Sequence, residues 1–272
     1  MDHVDIAPEQ VVPIDDIASG VHGLRITFVN VFSVEHPDGS WTLIDAGLPL
    51  SEGTIRRWAE KRYENAPNAI VLTHGHFDHV GAARGLAGHW SVRVFAHEGE
   101  FPYLTGESEY PAPNFGAGGG LMSLLSPMYP RKPIDIGSRL EALPYGEDGV
   151  NAFDMMPGWV VLHTPGHTPG HVSFFRPKDG TLIVGDAFCT TKAESFFDAA
   201  MTRHPELHGP PSYFTWDWKM ARESVHRLAD LNPRTVAPGH GKPLAGTGVP
   251  SALKTLAANF NEIAIPENRS EP

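Results

Sequence analysis

Sulfur and positive charge are what this chain has least of. Cys189 is its only cysteine, so no intrachain disulfide can form and the usual mark of an oxidising compartment is missing. Lys and Arg number 21 against 32 Asp and Glu, a formal net charge of −11. The basic residues come in short clusters such as Arg56-Arg57 and Arg131-Lys132. A protein that follows a phosphate backbone needs a basic face, so no nucleic acid partner is expected. No apolar run approaches the roughly 20 residues of a membrane span. Met1-Asp2-His3-Val4-Asp5 also lacks the basic-then-apolar order of a secretory leader. The expectation is a soluble cytoplasmic protein with a small-molecule partner and no membrane contact. With 41% hydrophobic and 19% charged residues over 272 positions, the composition suits a packed enzyme with one large-cored domain over 1–272.

What the chain does have is a concentrated set of metal-capable side chains. Thr73-His74-Gly75-His76-Phe77-Asp78-His79 places three imidazoles and a carboxylate within six residues, directly after the apolar run Ala69-Ile70-Val71-Leu72. The pattern predicts a short buried strand, a turn at its carboxyl end, and a helix opening near Asp78 and His79. Such a turn lets alternate side chains converge on one point while the Asp-His pair faces a second point nearby. Two metal ions, rather than one, follow from that arrangement.

Residues 1 to about 20 are rich in Pro and Asp and are expected to wrap the surface before the fold begins. Leu24 to Val34 and Trp41 to Ile44 predict a β-hairpin around Glu35-His36-Pro37-Asp38-Gly39-Ser40. It ends in Asp45-Ala46-Gly47, and Ser51 is placed to N-cap a helix running to about Tyr63. Val92 to Ala96 predicts a further strand. The loop-rich insertion over about 98–149 carries many prolines and glycines and predicts a lid or substrate wall, although proline-rich stretches could equally be arms of a homodimer. Strands are expected at Trp159 to His163, Val172 to Phe175 and Thr181 to Val184, followed by an irregular substrate-side stretch over about 187–215. A helix over Trp216 to Leu231, a strand at Thr235 to Ala237 and a closing helix over Ser251 to Ile263 complete a mixed α/β sandwich.

Three more places set a metal-capable side chain on a tight turn at a strand end: Thr164-Pro165-Gly166-His167-Thr168-Pro169-Gly170-His171, Val184-Gly185-Asp186, and Pro238-Gly239-His240-Gly241. A sandwich collects strand ends along one edge, so residues far apart in sequence can meet there, held by rigid Pro and Gly turns. The ordered set HxHxDH, GHTPGH, GD and PGHG, with Ile44-Asp45-Ala46-Gly47 upstream, resembles the metallo-β-lactamase-fold hydrolase superfamily over about Val29 to His240. The resemblance implies an αββα sandwich of two mixed β-sheets flanked by helices, with a binuclear site at one edge. It further implies that His74, His76 and His167 bind one metal, that Asp78, His79 and His240 bind the other, and that Asp186 bridges them. Asp45 would orient a ligand histidine or simply cap its turn. His171 is expected to support the site rather than ligate. His97 could line the pocket, no ligand role is assigned to His204 or His208, and Cys189 is expected to fill space as a small apolar group.

The chemistry of these donors points to two divalent cations, zinc first, with manganese, iron or cobalt as alternatives. Between them a water would lose its proton near neutral pH and attack as hydroxide, with Asp78 and Asp186 as the catalytic carboxylates. Relative to families within the superfamily, the bridging Asp186 counts against β-lactam hydrolysis as the main activity. The roughly thirty residues after His240 are too few for the helical domain of glyoxalase II types. The tyrosine that many acyl-homoserine lactonases carry three residues after the bridging aspartate is here Cys189. Candidate walls are apolar and aromatic: Phe101, Tyr103, Phe115, Met122, Met128, Tyr129, Phe188, Phe196, Phe197, Tyr213 and Phe214. The expected substrate is an ester, lactone or thioester with an apolar portion. Two alternatives stay open: a β-lactam hydrolase, and a persulfide dioxygenase with one iron on His74, His167 and Asp186.

Overall fold

In the computed structural model described here, the residues described are 11–113, 134–144, 153–191 and 207–266. Two mixed sheets face each other. The first holds seven strands in sequence order: β1 (Val11–Ala18), β2 (Val21–Ile26), β3 (Val29–Glu35), β4 (Trp41–Ile44), β5 (Ala69–Val71), β6 (Arg93–Ala96) and β7 (Leu140–Ala142). β1 to β4 pair antiparallel, and β4 to β7 pair parallel. The second sheet has five strands in the order β12-β11-β10-β9-β8, built from β8 (Val160–His163), β9 (Val172–Arg176), β10 (Thr181–Gly185), β11 (Thr235–Pro238) and β12 (Leu244–Ala245). Only its β10–β11 pair is parallel.

Period-two alternation assigns each strand residue to a layer. Val31, Leu43 and Ile70 point outward to pack with Ile55 and Trp58 of α1 (Glu52–Glu60) and Leu86 of α3 (Ala83–Trp90), which follows the single-turn α2 (Phe77–Val80). Their neighbours Phe32, Ile44 and Val71 point inward to meet Val161, Phe174, Ile183 and Ala237 of the other sheet. Leu182, Val184 and Val236 cover the far face, against Val225 and Leu228 of α5 (Trp218–Asp230) and Leu253 of α6 (Val249–Ala258). Helix, sheet, sheet, helix is therefore the layer order, as the resemblance implied. β4 and β5 are buried on both faces, which explains the unbroken apolar run of β5 and why Thr42 is the one polar residue of β4.

Several sequence expectations need correcting. Residues 11–18 do not merely wrap the surface: they form edge strand β1, paired with β2. A bulge between Ile14 and Ala18, with Asp16 at φ 57°, breaks the alternation that would have revealed it. The run Leu24 to Val34 is two strands, because Thr27 at φ 59° turns the chain between β2 and β3 without a glycine. Ser51 sits at the N-cap of α1, but its hydroxyl donates to the Leu48 carbonyl at 2.6 Å and caps no helix N–H. Asp217 does cap α5, accepting from the Met220 N–H at 2.9 Å. Of the 98–149 insertion, the described parts hold the short helix α4 (Phe101–Leu104) and β7; 114–133 and 145–149 lie outside the described residues. Among the described residues, no helix is long and apolar enough to cross a membrane.

Candidate metal centre

Parallel strands end together, so the turns that follow β4, β5, β8, β10 and β11 gather at one edge where the two sheets meet. Backbone hydrogen bonds tie these turns across the sandwich, Val172 N–H to Thr73 O at 2.9 Å and Asn30 N–H to Gly239 O at 2.8 Å, and within the first sheet, Ala46 N–H to His79 O at 2.6 Å. All seven predicted donors come together there. Three groups each place their ligand atoms within 4.8 Å of one another: His74, His76 and His167; His74, His79 and Asp186; and Asp78, His79 and His240. All are buried.

In the first pocket His76 Nδ1 lies 3.0 Å from both His74 Nε2 and His167 Nε2. Burial, above all, holds these three imidazoles below the ordinary histidine range, His76 at about 3, so their lone pairs are free to face one point. In the second pocket His240 Nε2 stands 3.5 Å from Asp78 Oδ2, and His79 Nε2 stands 4.0 Å from the same oxygen. Asp186 lies between the pockets. Its Oδ2 is 3.1 Å from His240 Nε2 and 3.5 Å from His167 Nε2, while its Oδ1 is 3.4 Å from His79 Nε2. His79 Nε2 and Asp186 Oδ1 are nonetheless buried without a hydrogen-bond partner. Orphaned buried polar atoms and imidazole nitrogens facing one another are costly in a purely structural cluster and natural around a cation, so the residues present fit a pair of divalent metals.

In His79 and His240 the ring nitrogen turned away from the pocket is held by a hydrogen bond. Asp45 Oδ2 accepts from His79 Nδ1 at 2.8 Å, and its carboxylate also takes the Thr73 N–H at 2.8 Å and the Thr73 hydroxyl. Orienting a histidine, not merely capping a turn, is what Asp45 does; its φ of 61° aims it there. His240 Nδ1 donates to the Phe28 carbonyl at 2.9 Å. His171 belongs to neither pocket: Nε2 accepts the Asp186 N–H at 2.9 Å and Nδ1 meets Thr164 O and Oγ1 at 3.1 and 2.9 Å.

This arrangement of donors at the sheet edge matches a known family along most of the chain. Residues 24–240 fit the family model described as the metallo-beta-lactamase superfamily. The chain belongs to the metallo-beta-lactamase superfamily. Among members, it is 43% identical over 252 residues to the probable metallo-hydrolase YflN of Bacillus subtilis strain 168, covering 91% of this chain and 94% of that one. The superfamily fold recurs in the solved structure of TTHA1623 in a di-iron-bound form, at a TM-score of 0.54 and 28% identity over 84% of this chain and 92% of the other. It recurs also in the BLEG-1 B3 metallo-beta-lactamase, at a TM-score of 0.55 and 26% identity over 80% and 88%.

Beside the first pocket of this superfamily member opens a cleft of about 80 Å³. Its lining includes His76, His167, Thr168, Tyr110, Tyr213, Phe214 and Trp216. Tyr213 and Phe214 were expected there; Tyr110 and Trp216 were not. Phe214 packs on His76 with ring centroids 4.7 Å apart, and Tyr110 packs on it at 4.5 Å. Other expected wall residues lie elsewhere. Phe188 is buried in the core of the second sheet, Phe101 packs against the core of the first, and Tyr103 stacks on Tyr110. Phe115, Met122, Met128, Tyr129, Phe196 and Phe197 lie outside the described residues, as does His204. His97 does not line the described cleft: it stacks on His163 at 4.2 Å, and burial first, then the charge of His163, takes it down to about 4. Cys189 is fully buried and pairs with His208 through the backbone.

One buried residue that the sequence reading missed is Glu100. It follows β6 in a short turn and is fully buried. Each of its carboxylate oxygens accepts two hydrogen bonds, from Gly75 N–H and Tyr110 Oη on one, and from Thr168 Oγ1 and Gly170 N–H on the other. Nothing in Glu98-Gly99-Glu100 distinguishes it from an ordinary polar turn, because its four partners lie in three other stretches of chain.

Proposed function

We propose that this chain is a metal-dependent hydrolase that cleaves a carboxylic ester, lactone or thioester carrying an apolar portion. The observation that carries the reading is the position of Asp186, within reach of donors from both histidine pockets and close to an aromatic cleft. In this reading His74, His76 and His167 would hold one divalent cation and Asp78, His79 and His240 the other, with Asp186 within reach of both groups. Cations bound there would supply Lewis-acid activation of the attacking water and the scissile carbonyl. Asp186 fixes the spacing of the pockets. Asp78 adds negative charge to the second, its Oδ2 lying 3.5 Å from His240 Nε2 and 4.0 Å from His79 Nε2. Tyr110, Phe214 and Trp216 give the apolar portion a surface, and the small volume beside His76 admits the reacting group while the rest of the substrate extends over the half-exposed Trp216.

The test is metal content on protein expressed without supplementation, followed by a panel of lactones, thioesters, aryl esters and β-lactams. About two divalent metals per chain, with chelator-sensitive turnover of an apolar ester, lactone or thioester, is the expected result. One iron per chain with oxygen uptake on a persulfide would replace the reading with a dioxygenase, and turnover of β-lactams alone would replace it with a lactamase.

A further inference from the structure

The two pockets are supported by different buried carboxylates. Asp45 reaches the second directly, through His79, and the first only at one remove, through the Thr73 hydroxyl beside His74 Nδ1. The backbone around the first pocket converges on Glu100 instead. Gly75, the residue between His74 and His76, donates its N–H to Glu100 Oε2 at 2.9 Å. Thr168, the residue after His167, donates its hydroxyl to Oε1 at 2.7 Å, and Gly170 donates its N–H to the same oxygen at 2.7 Å. All three histidines of the first pocket therefore flank a donor to Glu100. No hydrogen bond recorded for Glu100 reaches the turns that carry Asp78, His79 and His240.

The glycines of the two motifs record how tightly Glu100 is pressed between them. A Cβ on Gly75 would lie 2.5 Å from Tyr110 Oη and 3.2 Å from Glu100 Oε2. A Cβ on Gly170 would lie 2.8 Å from Glu100 Cγ, N and Oε1. Both motifs thus carry glycine where a third piece of chain passes through them. The fourth donor, Tyr110 Oη, adds the cleft wall: the same tyrosine packs on His76 and lines the cleft.

We propose that Glu100 is the positioning residue of the first pocket, an acceptor-only clamp that sets the His74-Gly75-His76 turn against the His167-Thr168 turn and fixes the Tyr110 wall to both. Two of its partners are backbone N–H groups, which can only donate, so no neutral amide can replace it without turning a donor against a donor. The inference rests on the two-metal reading given above and goes beyond it by separating the support of the two pockets.

The experiment compares zinc occupancy of each pocket, by anomalous scattering and by chelator competition, in wild type, Glu100→Gln, Thr168→Val and Asp45→Asn. Glu100→Gln is expected to weaken zinc binding in the His74–His76–His167 pocket by about 10- to 100-fold, the usual cost of removing such an outer partner. The Asp78–His79–His240 pocket keeps its zinc in that variant, whereas Asp45→Asn weakens that pocket more than the first, which Asp45 touches only through Thr73. Thr168→Val, which removes one donor of four, gives a smaller loss in the first pocket and carries the test should Glu100→Gln not fold. First-pocket binding within two-fold of wild type in Glu100→Gln, or in Thr168→Val where that variant carries the test, would overturn the proposal. So would equal weakening of both pockets. A wild type that takes up no zinc in either pocket would instead sink the two-metal reading itself.

Discussion

Asp186 Oδ1 faces His79 Nε2 across 3.4 Å, both buried, and neither atom completes a hydrogen bond. Burying this cluster of imidazoles and carboxylates without a cation is costly, and a bound cation would relieve that cost. Chelation is therefore expected to destabilise the fold. A metal at 100 times its dissociation constant contributes about 2.7 kcal/mol, which for a chain of this size corresponds to a melting point lower by roughly 5 °C or more without metal. Scanning calorimetry with and without chelator measures it, and an unchanged melting point would count against metal binding at these residues.

Removing a donor should stop turnover while sparing the frame. Both His76→Ala and Asp186→Ala are expected to lower kcat/KM by at least about 10³-fold, roughly 4 kcal/mol of barrier, with far-ultraviolet circular dichroism unchanged. Full activity in either variant would show that the donor assignment is wrong.

The pockets should differ in the protons they release. In the second, burial acts to lower His79 and His240, but Asp186, with Asp78 and, for His79, Asp45, outweighs it and raises both above the usual histidine value. These rings hold their protons to higher pH than a free imidazole does, and a metal must displace whatever proton they hold. The first-pocket histidines, held low chiefly by burial, are already neutral near pH 7. Affinity in the second pocket is therefore expected to rise with pH until the raised values are passed, with proton release on filling, while the first pocket is flat near neutrality. Calorimetric titration in two buffers of different ionisation enthalpy separates the cases; equal proton release from both pockets would contradict the assignment.

Phe214 packs on His76 at the cleft. If it grips the apolar part of the substrate equally before and during reaction, Phe214→Ala raises KM with kcat nearly unchanged. A loss on the order of 10-fold in kcat/KM corresponds to about 1.4 kcal/mol of buried apolar contact. Steady-state kinetics on a homologous series of acyl chains tests it, and a variant impaired equally on short and long chains would place the apolar portion elsewhere.

That these seven side chains would gather was legible because each sits in a short local run at the end of an apolar strand, so the pattern around His74, His167, Asp186 and His240 carries its own signal. The layer order was legible for the same reason, from alternation such as Val31 and Phe32, which pack on opposite faces of the first sheet. What escaped depends on distant partners or broken periodicity. Glu100 is defined by contacts to residues 75, 110, 168 and 170, β1 is disguised by its bulge, and the turn at Thr27 lacks the glycine that marks most such turns. Tyr110 and Trp216 escaped because single aromatics in irregular chain give no hint of which way they face.

The groups suited to holding ions ride on the rigid frame, at the tips of strands from both sheets. The surface a guest would meet, Tyr110 to Ala112 and Tyr213 to Trp216, rides on two excursions that leave that frame. Appetite and reactivity can thus be inherited apart: a descendant could exchange either excursion and change its diet without disturbing a single ion-holding atom.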